Sequence, residues 1–421
     1  MKKWQKLAIV ALGVGAAMML AALAFVNFDF RKLDVTAAAQ AWERESSYAV
    51  ARVGDSGTAN VDTVRAIEIV GGMQDVNVRI YDGTEIALEY TDTDLMHWEV
   101  EQTGDGRLKL TLRSELKWYD YLGMHFPNMY SLTINLPSDA VLDALRLGTT
   151  SGDIDVPQLP QVTEVALSST SGNCRLHDLS VKGEVSIDTT SGFSHLGNLS
   201  AAGLRLNSTS GGWMLEGVDV DGDVAIGSTS GDCRLKNSSV KGNVSIEMTS
   251  GFGDLTNLSA AGLRLESTSG SWMLNGIDAD GDVIVGSTSG SIRLRASAAG
   301  GVQLNSTSGY VDVQNCTVSE LAVVSLDGTQ HLTDVEAVDA IQSSATSGNV
   351  HLNGVSAAGI EVSTTSGTVV AELPEAASAY QIRTSTNSGN AHVPTGTHGA
   401  IPVEIQTTSG SIYITCVASI E

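Results

Sequence analysis

What this chain lacks narrows the reading first. It holds 7 prolines and 5% aromatic residues in 421, with four cysteines, and its 24 Lys and Arg face 48 Asp and Glu. An apolar content of 42% is ordinary, so a disordered chain is excluded. The formal net charge of −24 repels phosphate backbones and excludes nucleic acid as a partner class. There is no HExxH, no CxxC pair and no phosphate-binding loop. Beyond residues 7–26 there is no second long apolar run.

That one run is uncharged and about the length of a bilayer-spanning helix. Lys2, Lys3 and Lys6 precede it and favour an N-terminus inside. Phe25, Phe28 and Phe30 follow at the far interface, before Arg31 and Lys32. The competing reading is a cleaved signal peptide, since Ala22-Leu23-Ala24 matches a cleavage site. Either way the body is exported, and the expectation is a single-pass cell-membrane protein with its body outside.

What the chain has in abundance is Thr-Ser-Gly. The tripeptide ends at Gly152, Gly172, Gly192, Gly211 and onward to Gly367 and Gly410, with Gly328 and Gly389 in degenerate copies. A fixed beat of about 20 residues marks a solenoid in which each repeat is one coil. Within the coil after Gly172, Cys174 and Leu176 alternate with polar neighbours, as do Val185 and Ile187. Such alternation predicts half-buried strands. Lys182-Gly183 supplies a turn between them and Ser191-Gly192 the next corner. The expected fold is all-β: a single-stranded parallel β-solenoid of about fourteen coils, on the order of 65 Å long.

Two residues after each corner glycine the side chain should point inward. That column reads Ile154, Cys174, Ser194, Trp213, Cys233, Gly253, Trp272, Ile292, Val311. Each indole follows a very small residue, as a narrow core requires. Cys174 and Cys233 fall three coils apart, roughly 14 Å, too far for a disulfide. With Cys316 they read as small buried hydrophobes. Residues 173–230 and 232–289 align without a gap, so a three-coil block has been duplicated. A duplication that lengthens a rod points to reach or surface as the useful property.

Residues 48–147 do not keep the beat but contain strand-like stretches at 67–69, 76–80, 86–90, 108–112 and 132–136. The expected organisation is a cytoplasmic N-terminus (1–6), an anchor (7–26), a juxtamembrane linker (27–47), an N-terminal β cap (48–147) and the solenoid (148–421).

The order of these pieces resembles a known family. The Phe-rich exit leads to Lys32-Leu33-Asp34, then Lys117-Trp118-Tyr119-Asp120-Tyr121-Leu122-Gly123, then Leu132-Thr133-Ile134-Asn135-Leu136-Pro137. The coils follow, and Leu373-Pro374 with Tyr380-Gln381-Ile382 precedes Asn387-Ser388-Gly389. This is similar to the adhesin-like family of β-strand-repeat proteins common in Gram-positive bacteria, formally a domain of unknown function. The resemblance implies an anchored extracellular β-solenoid. It supplies no catalytic residues, and similar proteins accompany cell-envelope stress systems.

Candidate chemistry is thin. Gly227-Ser228-Thr229-Ser230-Gly231 lacks the helix and the partners of a nucleophile elbow. Asp219, Asp221 and Asp223, with their copies Asp278, Asp280 and Asp282, offer oxygens for calcium, although the usual spacing and closing Glu are missing. The plainer reading is an acidic turn with Val220 or Ala279 facing in. An outward column runs Arg293, Asp312, His331, His351; the last three could meet a zinc ion, or form a solvated polar ladder. Thr170 to Thr288 should form a hydroxyl ladder beside the corners. No cofactor is expected. The expected function is non-catalytic: an adhesin or cell-surface interaction protein meeting cell-wall or host glycan or protein. An accessory or sensory ectodomain of an envelope-stress system is the alternative. A polysaccharide-active enzyme is a third class and would need a carboxylate or basic cluster in a groove.

Overall fold

Each repeat becomes one turn of a coil because its side chains alternate in and out and its corners hold residues that tolerate bending. The computed structural model describes residues 47–52, 64–92, 96–114 and 131–417. The expected anchor at 7–26, the linker before Ser47 and the segment 117–123 lie outside these residues. Among the described residues no helix is long and apolar enough to cross a membrane.

The coil after Gly172 shows the construction. Cys174–Ser180 forms its first side, with Cys174 and Leu176 buried and Arg175 exposed. At Asp178 the backbone turns with φ of 56°. Leu179 and Val181 then face inward on a short second side, each 3% exposed. Glu184–Thr189 is the third side, with Val185 and Ile187 inside. The sequence pattern predicts two strands and two turns, so the bend at Asp178 is a correction: the coil has three sides. That bend recurs at Asn198, Gly217, Asn237, Asn257, Gly276, Ala296, Asn315, Asp334 and Gly354, all with positive φ. Asn, Asp and Gly tolerate the left-handed region. Their side chains also tie coil to coil: Asn198 Nδ2 donates to Asp178 Oδ1 at 2.9 Å, and Asn257 Nδ2 to Asn237 Oδ1 at 3.0 Å.

The Thr-Ser-Gly corner rests on a fourth residue, the buried hydroxyl just before it. The Gly211 N–H donates to Ser208 Oγ at 2.6 Å, and the Gly290 N–H to Ser287 Oγ at 2.8 Å. The glycine is forced by stacking. A Cβ on Gly172 would lie 1.8 Å from the carbonyl oxygen of Gly152.

Coils stack as parallel ladders in the expected register. Cys174 pairs with Ser194, then in turn follow Trp213, Cys233, Gly253, Trp272, Ile292 and Val311. All are buried. A Cβ on Gly253 would sit 2.1 Å from Trp272 Cε3, so the indole occupies its small neighbour's space. Burial pushes the Cys174 and Cys233 thiols up to about 12, which leaves them unreactive.

The duplicated blocks differ at one core corner. Trp272 Nε1 donates to Ser267 Oγ at 3.0 Å. In the first block Trp213 Nε1 and the hydroxyls of Thr189, Ser194 and Ser228 are buried without a partner in the protein. Where the first block has Thr189 and Ser194, the second has Met248 and Gly253.

Both ends depart from sequential stacking. The N-terminal strands are β1 (Ser47–Arg52), β2 (Ala66–Val70), β3 (Val76–Tyr81), β4 (Ala87–Asp92), β5 (Met96–Gln102), β6 (Arg107–Ser114), β7 (Leu132–Pro137), β8 (Val141–Thr149) and β9 (Ile154–Val156). β2 and β3 form a rung that pairs in parallel with β8 and β9 on one side and with β6 and β7 on the other. The parallel ladder therefore begins before the Thr-Ser-Gly beat. Antiparallel β5 covers β6, β4 covers β7, and β1 lies on β4. At the far end, Ile401–Ser409 lies between Gly359–Thr364 and Tyr380–Ser388. Ile412–Cys416 likewise lies between Val369–Leu373 and Ala391–His392. Among the described residues, the earliest rung at one end and the latest at the other are each second in space, beneath an outer rung.

Candidate functional site

A rod with a filled interior offers chemistry only on its sides, and these are unequal. The first side, following the corner, carries the solvent-reaching aromatics of the solenoid: Phe193 and Tyr413 are exposed, Phe252 and Tyr310 half-buried. The other aromatic rings there, Trp213 and Trp272, are 1% exposed. His177, His195, His331, His351 and His392 also lie on the first side. On the third side Arg205 and Arg264 are paired with Glu184 and Glu266, while Arg383 is exposed near the far end. The hydroxyl ladder is present: Thr170, Thr190, Thr209, Thr229, Thr249, Thr268 and Thr288 are exposed in line. They border an open groove of about 990 Å³ that also includes Asp188, Glu247 and Glu266.

The column expected from Arg293 to His351 is real, each residue pairing with the next. The structure brings His331 and His351 together, with ring centroids 4.5 Å apart, and Tyr310 stacks on His331 at 5.1 Å. Asp312 corrects the solvated-ladder reading. It is 2% exposed and bound by Arg295 Nη2 and Gln314 Nε2, each at 2.9 Å. Its carboxylate is thus engaged away from the two imidazoles. Burial, then the charge of His331, holds His351 below the ordinary imidazole range. Burial, then Asp312, raises the Tyr310 hydroxyl.

The acidic turns are part of the frame. Asp219 and Asp221 are exposed around buried Val220, and Asp278 and Asp280 around buried Ala279. Lys241 pairs with Asp221. Asp223 accepts the Asn243 N–H at 2.8 Å, and Asp282 the Gly301 N–H at 3.0 Å. Among the described residues no three metal-ligating side chains converge.

Sequence reasoning missed the strip's continuation. His351 pairs with Val370, Val370 with Tyr413, and Tyr413 with His392. The Tyr413 and His392 rings stack at 5.0 Å, 11° apart. Sequence order alone sets His392 before Tyr413, whereas the exchanged end rungs reverse them.

Known proteins bear on this geometry in three ways. No curated protein matches the chain. A crystal structure of a putative cell adhesion protein from Clostridium sporogenes is similar at 10% identity, over 88% of this chain and 99% of that one. Its TM-score of 0.18 is too low to carry structural detail across. The family model described as Toastrack DUF4097 matches residues 64–276 and 257–415. This β-repeat solenoid belongs to the Toastrack DUF4097 family.

Proposed function

We propose that the chain is a membrane-anchored, extracellular β-solenoid that works without catalysis as an adhesin or cell-surface interaction protein. The inequality of the sides supports this reading. The core is apolar and closed, the corner hydroxyls of Ser208 and Ser287 are taken up in holding backbone, and the recognition-type side chains collect on one long side. A contact surface needs that arrangement, since many modest contacts in line add up. The apolar run at 7–26 and its flanking lysines support the anchor.

Deleting the gene and measuring adhesion separately from antibiotic-induced envelope signalling tests the reading. Loss of adhesion is expected. Unchanged adhesion with altered signalling overturns it in favour of the sensory role. The exported protein is expected to stay with membranes after a high-salt wash, and recovery of a soluble form beginning at Phe25 overturns the anchor.

A further inference from the structure

Most cations on the first side are already spoken for. Arg175, Arg234, Lys236 and Arg295 are held by Asp153, Asp232, Asp254 and Asp312. Arg293 is exposed and makes no ion pair among the described residues. Asp312, the carboxylate directly beside it on the next rung, is buried and engaged by Arg295 and Gln314. Tyr310, His331 and His351 continue from Arg293 as half-buried rings in van der Waals range of one another. This patch holds a surplus cation on a molecule of formal net charge −24.

We propose that Arg293, Tyr310, His331 and His351 form a binding subsite for a polysaccharide strand that bears carboxylates, of the uronic-acid type. The inference rests on the adhesin reading and names the chemistry of what is touched. A free guanidinium presents a planar fork that matches a carboxylate with two hydrogen bonds. Half-buried rings offer an apolar body and a polar rim, which suits a sugar ring with C–H faces and hydroxyl edges. Rungs recur about every 4.8 Å, so one strand laid along the rod meets successive side chains and gains from multiple weak contacts. The ring strip carries on through Val370, Tyr413 and His392, which gives the strand a direction. A neutral glycan would leave Arg293 without a partner.

Acid should strengthen the contact. The charged or titratable groups facing the imidazoles are Tyr310, Arg293, Arg295 and Asp312 on earlier rungs and Glu372, beside Val370, on the next. Asp312 is already paired, so a proton taken up by His351, which burial and then the charge of His331 hold below the ordinary imidazole range, adds to the surplus cation at the acid end.

The test measures binding of the full chain by calorimetry at low salt, using polygalacturonate, dextran and poly(glycerol phosphate) as probes. Saturable binding to polygalacturonate and none to dextran is expected, tightening about threefold between pH ~7.5 and ~5.5. Arg293→Gln should weaken it about tenfold. Lys182→Gln, an exposed cation elsewhere, should change it less than about twofold. His351→Gln should remove the gain in acid. Equal binding to dextran, a preference for poly(glycerol phosphate), or equal losses in Arg293→Gln and Lys182→Gln overturns the proposal. In the adhesion assay, an Arg293→Gln protein that adheres like wild type overturns this subsite alone. A wild-type protein that does not adhere overturns the adhesin reading.

Discussion

Single side chains carry information that the repeat hides. The duplicated block is an experiment already run on one core corner. Thr189 and Ser194 leave buried hydroxyls unpartnered beside Trp213, whereas Met248 and Gly253 fill the same place with no orphan beside Trp272. An unsatisfied buried polar atom costs about 1–3 kcal/mol. Transplanting the second solution into the first, as Thr189→Met with Ser194→Gly, should stabilise those coils by about 1–3 kcal/mol. Hydrogen exchange of residues 185–233 reads this directly; faster exchange there would show that the hydroxyls are better satisfied than the geometry indicates. Ala296 offers a second case. It occupies the bend column with φ of 47°, where an alanine Cβ crowds the following carbonyl at a cost of about 1–2 kcal/mol. Ala296→Gly should therefore raise stability by about 1 kcal/mol despite the added freedom of the unfolded chain. A lower urea midpoint in the variant would refute it.

Rungs are the next scale, and there the end exchange makes a counterintuitive prediction. Chain termini ordinarily fray first. Here, among the described residues, the strands latest in sequence, Ile401–Ser409 and Ile412–Cys416, are bonded on both edges, while Tyr380–Ser388 is paired on one edge. Amides of residues 401–416 should exchange more slowly than those of 380–392, and the reverse order would refute the arrangement. This is also the scale at which sequence reading reached its limit. Period-two alternation and the glycine beat identify coil, register and the inward column, because burial and glycine contacts impose both locally. The bend column was visible as Asp178, Asn198, Gly217 and Asn237, but its residues sit inside an alternating strand pattern and read as solvent positions. The end exchange was not visible, since every rung is locally alike and any could pair with any other. Ring position suffered accordingly: His331 and His351 were placed from spacing, whereas Tyr413 and His392 needed the spatial order. Burial of Asp312 depended on the reach of Arg295 and Gln314 across a rung, which alternation does not encode.

At the scale of the whole molecule, charge is the dominant global term. With 48 acids against 24 bases, self-repulsion opposes the compact state and is screened by salt. The melting temperature should rise as sodium chloride is raised from about 0.01 M to about 0.15 M; a fall would show that the ion pairs across rungs outweigh the net charge. The exchanged ends carry one more consequence, which concerns the order of assembly. Coils up to Val369–Leu373 can wind onto their predecessors as the chain emerges from the ribosome. The seal cannot. The strand that must fill the slot beside Gly359–Thr364 is made after the outer rung that lies over it. Until residues 401–416 have left the exit tunnel the growing end stays open, so the outer rung must wait, already made, for the strands that seat it against the coils below.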